Sequence, residues 1–322
     1  MIIDSNYMAL ANVVFGYALS RMAELGKKDL KLAHYTSAEN ALNIINGDTV
    51  WLRNAGVMND HSEIEHGRDI LQAALDLPML GGRLYALLDQ AHFGLAQRIG
   101  DHVKRQRKQA REQIFMASLC ETAANDRLGR LSMWRAYGGT TSGAALVFNG
   151  DVFASAELPL QSFASPVLYG DIDEFAQEFE TLINRLDQAP ALLSNVTADM
   201  AFRAVSSALD FAILSVKHRG FEEEREWRVI HRPFDQASQH VVKTVASIGG
   251  TPQLIYQMPL VSRPGMNISG LTLDRLLHRV IIGPSLHPET TWRALVESLR
   301  AKGVTSPEAR VVISDIPLRQ RG

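Results

Sequence analysis

Three short clusters in the chain combine residue types that can do chemistry. In His34-Tyr35-Thr36 a polar triplet closes an apolar stretch at the point where a helix begins. An imidazole there can bind a ribose or an amide of a ligand, and the tyrosine offers it a ring face. The competing reading makes Thr36 a helix cap, His34 a hydrogen-bonded core residue and Tyr35 a packing residue. The second cluster is Glu222-Glu223-Glu224-Arg225-Glu226-Trp227-Arg228. On a strand, Glu224, Glu226 and Arg228 would share one face and Arg225, Trp227 and Val229 the other. Carboxylates stacked on one face repel unless a cation or ligand sits among them, so Glu224 and Glu226 are either an ion-paired surface or acids with a task. The third cluster is Asn59-Asp60-His61-Ser62-Glu63, with Glu65 and His66 close behind. His61 and Glu65 have the i, i+4 spacing of a helical metal pair, but two exposed ligands make a weak site, and no bound metal is expected. Asp60 or Ser62 would equally serve as a cap. Ser118 places a hydroxyl inside the apolar run Phe115 to Cys120, and Trp134 and Tyr137 are three residues apart on a helix, where they pack or stack a ligand.

These clusters need elements to hold them. Leu32 to Tyr35 reads as a strand. Thr36 and Glu39 have capping-box spacing, Ala41, Leu42, Ile44 and Ile45 form a buried helical stripe, Gly47 sits at its end, and Val50 to Arg53 returns as a strand. Residues 7 to 26 read as one amphipathic helix. Residues 62 to 111 are helical with breaks at Leu77-Pro78 and Gly81-Gly82, and residues 173 to 217 are helical with a break at Pro190. Strands are expected at 114–120, 144–148, 165–168, 225–231, 241–248, 279–282 and 310–314, with helices at 127–137 and 289–302. The mixture lacks strict βαβ alternation, so the class is α+β. The expected organisation is an N-terminal helix over residues 1–29 packed on a single domain over 30–322, into which the helical segments at about 62–111 and 173–217 are inserted.

The chain has 322 residues, 46% of them apolar, enough to bury a core. Its formal charge of -2 creates no global field for nucleic acid or membrane. Lys104, Arg105, Arg107, Lys108 and Arg111 nevertheless form a local basic patch, which is either solvated helix surface or a nucleic-acid contact. The single cysteine, Cys120, makes no internal disulfide and suits a reducing compartment. The segment from Met8 to Ala23 is interrupted by Asn12 and Arg21 and is a poor targeting sequence, so a cytoplasmic protein is expected. There is no Gly-x-Gly-x-x-Gly fingerprint, no phosphate-loop lysine, no zinc cysteine pair and no Gly-x-Ser-x-Gly elbow.

The motifs together resemble the bacterial domain-of-unknown-function family 2971. The resemblance rests on His34-Tyr35-Thr36, Val50-Trp51-Leu52, Met58-Asn59-Asp60 with Glu63, Ser118-Leu119, and Met133-Trp134-Arg135-Ala136-Tyr137 before Gly143. It continues through Lys217 ahead of Glu224-Arg225-Glu226-Trp227-Arg228, then Ile281-Ile282-Gly283-Pro284, and closes with Ser314-Asp315-Ile316-Pro317-Leu318-Arg319. A more distant likeness is to ADP-ribosyltransferases of the His-Tyr-Glu type. Their first motif is similar to the His34-to-Gly47 unit, their middle strand to Ser118, and their final Glu-x-Glu strand to Glu224-Arg225-Glu226. The chain departs from them in lacking a Ser-Thr-Ser middle motif and in its longer spacings.

That likeness implies a split β-sheet core with helical insertions, with NAD bound as substrate. Glu226 would stabilise the oxocarbenium-like ribose and Glu224 would serve the acceptor nucleophile. His34, Tyr35, Thr36, Ser118 and Tyr137 would hold NAD, with Asn59, Asp60, Glu63, Trp134 and Arg228 as further site candidates. The implied function is transfer of ADP-ribose to a macromolecule, RNA or DNA ahead of protein, by a toxin or phage-defence effector that has an antitoxin or defence-system partner. Hydrolysis of NAD in the same site, a non-catalytic nucleotide-sensing module and a nuclease built on His61, Glu63, Glu65 and His66 are the alternatives.

Overall fold

The computed structural model describes residues 4–57, 61–139, 142–150, 160–233, 238–248, 250–266 and 271–317, giving backbone alone at 61–62 and 106–113. The fold is α+β. The chain forms two compact units: Met1–Ala23, Ala55–Ile114 and Ser165–Glu223 make the first, and Glu24–Asn54, Phe115–Ala164 and Glu224–Gly322 the second.

The first unit is mostly helical. It contains α1 (Ser5–Val14), most of α2 (Gly16–Lys27), α4 (His61–Asp76), α5 (Arg83–Ala91), α6 (Leu95–Gln113), α8 (Ile172–Gln188), α9 (Ala191–Ser194) and α10 (Ala198–Leu214). The short strands β6 (Leu168–Tyr169) and β7 (Val216–Lys217) pair in parallel. Residues 62–111 and 173–214 are thus largely helical, with breaks at Pro78–Gly82, at 92–94 and at Pro190, whereas Val216–Lys217, expected to be helical, form β7. The expected single helix over 7–26 is instead two, because Phe15 leaves helical geometry at the α1 C-cap and α2 restarts at Gly16. The α1 N-terminus is held by Asp4, whose carboxylate accepts from the amides of Asn6 and Tyr7. No helix among the described residues is long and apolar enough to cross a membrane.

The second unit is built on a largely antiparallel sheet, in the order β12 (Val311–Ile313), β11 (Leu277–Ile282), β4 (Gly143–Asn149), β1 (Leu30–Ser37), β3 (Phe115–Ala123), β2 (Thr49–Asn54), β10 (Thr251–Pro259) and β9 (Val242–Ile248). β8 (Glu226–His231) pairs with β3 and with β5 (Ser162–Pro166). β3 governs the topology. Leu30–Ala33 of β1 pairs with Cys120–Ala123, whereas Arg53 and Asn54 of β2 pair with Phe115 and Met116. The sheet therefore opens between Met116 and Cys120, and β1 leaves β3 after Ala33 to continue along β4. Helices α3 (Ala38–Gly47), α7 (Leu131–Tyr137), α11 (Leu273–Leu276) and α12 (Pro288–Ala301) belong to this unit. β10 had no counterpart in the sequence reading, because Pro252, Gln253, Gln257 and Pro259 interrupt its apolar run.

Local chemistry explains the corner after β1. Thr36 stays in the ladder opposite Ala144, so the α3 N-cap is Ser37, whose hydroxyl accepts from the Asn40 amide. The expected cap at Thr36 is thus one residue early. Gly47 likewise ends inside the helix, and Asp48 adopts the left-handed cap with φ 50°. Its carboxylate bonds Lys302 Nζ at 2.6 Å, one contact that holds a non-glycine residue there.

Candidate active site

Three adjacent strands meet at Ser118. Its carbonyl accepts from His34 Nδ1 at 2.9 Å, and its hydroxyl donates to Glu226 Oε1 at 2.6 Å. The register puts Ser118 opposite Arg228 and Cys120 opposite Glu226 on β8, and Ala33 opposite Cys120 on β1. Directly opposed residues share a face, so Ser118, Glu226 and Arg228 project on the same side as Ala33 and Tyr35. Alternation sends His34 to the other side. It reaches Ser118 edge-on through the opening where β1 parts from β3.

Glu226 and Arg228 are 4% and 1% exposed. They form a two-pronged pair: Arg228 Nε donates to Oε1 at 3.0 Å and Nη2 to Oε2 at 3.1 Å. Burying two charges carries a desolvation cost of several kcal/mol per ion, which such paired, hydrogen-bonded geometry offsets. The cation that the stacked carboxylates required is therefore Arg228, two residues along the same strand. Glu224 is a correction to the expected strand pattern. It ends the 3-10 turn Arg219–Glu224, and Arg225 at φ 45° breaks the alternation before β8 starts at Glu226. Glu222 and Glu223 are exposed in that turn, as a solvated charge run would be.

The sequence reading did not single out Arg130, which ties this region together. Its Nη1 donates to the Glu224 carbonyl at 2.6 Å, its Nη2 to the Glu121 carbonyl, and its amide to the Tyr35 hydroxyl at 3.0 Å. Glu121 was missed as well: buried at the end of β3, it accepts from Trp227 Nε1 at 2.9 Å. No local spacing signals either residue, because every partner named here is distant in sequence or reached through backbone.

The electrostatics suit uncharged polar recognition at His34. Burial holds its pKa below the ordinary imidazole value, against a smaller opposing effect of the Ser118 carbonyl. The neutral ring then carries its proton on Nδ1, leaving Nε2 as an acceptor. Burial also pushes the Tyr35 hydroxyl up to about 12, so it remains a phenol.

Other candidates sit elsewhere. Trp134 is 3% exposed, packs edge-on against Tyr35 with ring centroids 4.8 Å apart, and donates from Nε1 to the Leu128 carbonyl. A Cβ at Gly129 would lie 2.5 Å from its ring and one at Gly283 2.7 Å, so glycine backbone closes on the indole and accounts for the Gly283-Pro284 motif. Tyr137 is exposed at the end of α7, and Thr36 is half-buried on β1. Glu63 belongs to the first unit, where it pairs with buried Lys217 at 2.8 Å. Glu65 bonds Arg68 at 2.8 Å. Among the described residues, no three His, Cys, Asp or Glu side chains gather as a metal site. Asn59 and Asp60 lie outside the described residues, as do the side chains of His61, Arg107, Lys108 and Arg111. Lys104 and Arg105 are exposed on α6.

Residues 133–229 match the family model described as Protein of unknown function (DUF2971). Over that stretch the chain is similar to the DUF2971 family. The matched segment carries Trp134, Tyr137, Glu224, Glu226 and Arg228, and it stops inside β8. No curated protein and no solved structure matches the chain.

Proposed function

We propose that the chain is an NAD-consuming ADP-ribosyltransferase whose reactive centre is His34, Ser118 and Glu226, with a macromolecule as acceptor. One observation carries the reading: Ser118 bonds His34 through its carbonyl and Glu226 through its hydroxyl, linking an imidazole and a carboxylate from separate strands at an opening in the sheet. The order, first strand to middle strand to late strand, is that of the His-Tyr-Glu transferases.

The chemistry follows from the groups. In this reading the bond from ribose C1′ to the nicotinamide nitrogen breaks, and nicotinamide leaves with the electron pair. The ribose becomes oxocarbenium-like. The Glu226 carboxylate, paired with Arg228 and oriented by Ser118, stabilises that charge through the 2′-hydroxyl in a dry setting where such interactions are strong. His34 Nε2 accepts from a ribose hydroxyl or the carboxamide. The acceptor oxygen or nitrogen bonds C1′ on the opposite side, and its proton passes to the Glu224 carboxylate. The exposed cations Lys104 and Arg105 on α6 favour RNA or DNA as acceptor. A role as a toxin or phage-defence effector fits a chain that modifies nucleic acid.

Label from adenylate-labelled NAD tests this in a bacterial lysate, wild type beside His34→Ala and Glu226→Gln, with products digested by protease or by nuclease. Nuclease-released label that depends on both residues is expected. NAD consumed without macromolecular label would instead identify a glycohydrolase, and NAD bound but unconsumed would identify a sensor.

A further inference from the structure

The first unit contains a cavity unrelated to His34 or Glu226. It lies where the α1–α2 break meets α8, α10 and the β6–β7 pair, and its volume is about 110 Å³. Four phenylalanines form its walls. Phe15 meets Phe211 edge-on with centroids 5.7 Å apart, and Phe175 stacks on Phe179 at 5.8 Å. Ala208 and Ala212 on α10 leave the space open. The polar groups are few and placed apart. Ser215 donates its hydroxyl to Ser165 at 2.8 Å in the buried wall, so those hydroxyls are satisfied by each other.

Arg185 stands at the exposed lip. A Cβ on Gly16 would lie 1.9 Å from Arg185 Nη1, so the guanidinium rests over backbone that only glycine exposes, at the point where α2 restarts. Among the described residues Arg185 has no hydrogen-bond or ion-pair partner. Glu178 also lines the cavity, two helical turns before Arg185 on α8. It repels an anion from that end and so gives the cavity a polarity along α8.

We infer that this cavity binds a small carboxylate with a short apolar body: the chain or ring enters among the phenylalanines and the carboxylate pairs with Arg185. At about 110 Å³ the cavity is smaller than the apolar cavity of about 150 Å³ that holds one benzene, so it takes a short chain with the carboxylate left at the lip. The Arg fork matches a carboxylate in two-point geometry. An apolar body is the occupant that such walls favour.

Hexanoate, hexylammonium and hexanol, titrated separately into the full chain by calorimetry, test the site. Hexanoate is expected to bind saturably and more tightly than either of the others. Arg185→Gln should weaken hexanoate about tenfold while leaving hexanol unchanged. Ala212→Leu fills the cavity and should abolish binding. Ala208→Val is a milder plug if the first variant does not fold. Circular dichroism checks each variant. No saturable hexanoate binding, preference for hexylammonium, affinity unaffected by Arg185→Gln, or binding that survives a folded plug variant would each overturn the inference.

Discussion

The residue with most consequences is Glu226. Read as sequence, it is one acid in a run. In the fold it is the buried partner of Arg228 and the acceptor for Ser118. Glu226→Gln therefore does more than remove a reactive carboxylate, because it leaves a 1% exposed guanidinium without its counter-charge. Breaking such a pair costs about 3–5 kcal/mol, whereas replacing both charges by apolar groups is close to neutral. Urea unfolding should show Glu226→Gln destabilised by about 3 kcal/mol and Glu226→Gln/Arg228→Met recovering most of that loss. Equal loss in both variants would mean that the pair is not acting as a unit. Glu226 was legible as a candidate because strand alternation separates it from Trp227. Its bond to Ser118 was not, since that contact depends on the β3–β8 register.

At the scale of elements, the β1–α3 corner was legible because an apolar run, a hydroxyl pair and a helical stripe follow one another without a gap. The exact cap was not. Thr36 and Ser37 are both good caps, and the choice is made by β4, whose ladder extends to the Thr36–Ala144 and Ser37–Gly143 pairs. Ser37→Ala should cost about 1 kcal/mol of unfolding free energy and Thr36→Ala less than about 0.5 kcal/mol, measured by chemical denaturation. The opposite ranking would restore the cap to Thr36. Glu224 fell on the wrong element for a similar reason: left-handed Arg225 cannot be read from a run of charged residues, and it ends the strand pattern one residue before Glu226. The break at Phe15 was hidden because apolar periodicity runs through it.

For the whole molecule, the two units divide chain segments that sequence alone leaves in one line, because the path returns to each unit after long excursions. Three histidines of the second unit give it a common pH response. Burial is the main cause that lowers the pKa of His34, His231 and His278 in the folded chain. Below the ordinary histidine value of about 6.5 the unfolded chain takes up protons that these folded rings do not. Stability is thus fully present above that value and lost as pH falls toward the lowered folded values. Between pH 7.5 and 5.5 each ring accounts for at most about 1.4 kcal/mol. Denaturation curves at the two pH values should show the loss, and replacing all three by glutamine should flatten it. A wild-type midpoint that rises on acidification would contradict the assignment.

The most direct measurement is nicotinamide release from NAD by purified wild type, Ser118→Ala and Glu226→Gln, each checked for folding under the same conditions. Wild type is predicted to release nicotinamide, folded Glu226→Gln to lose about 100-fold or more of that rate, and Ser118→Ala to fall between them. Undiminished release by folded Glu226→Gln, or none from wild type, would contradict a glycosyl-transfer centre at His34, Ser118 and Glu226.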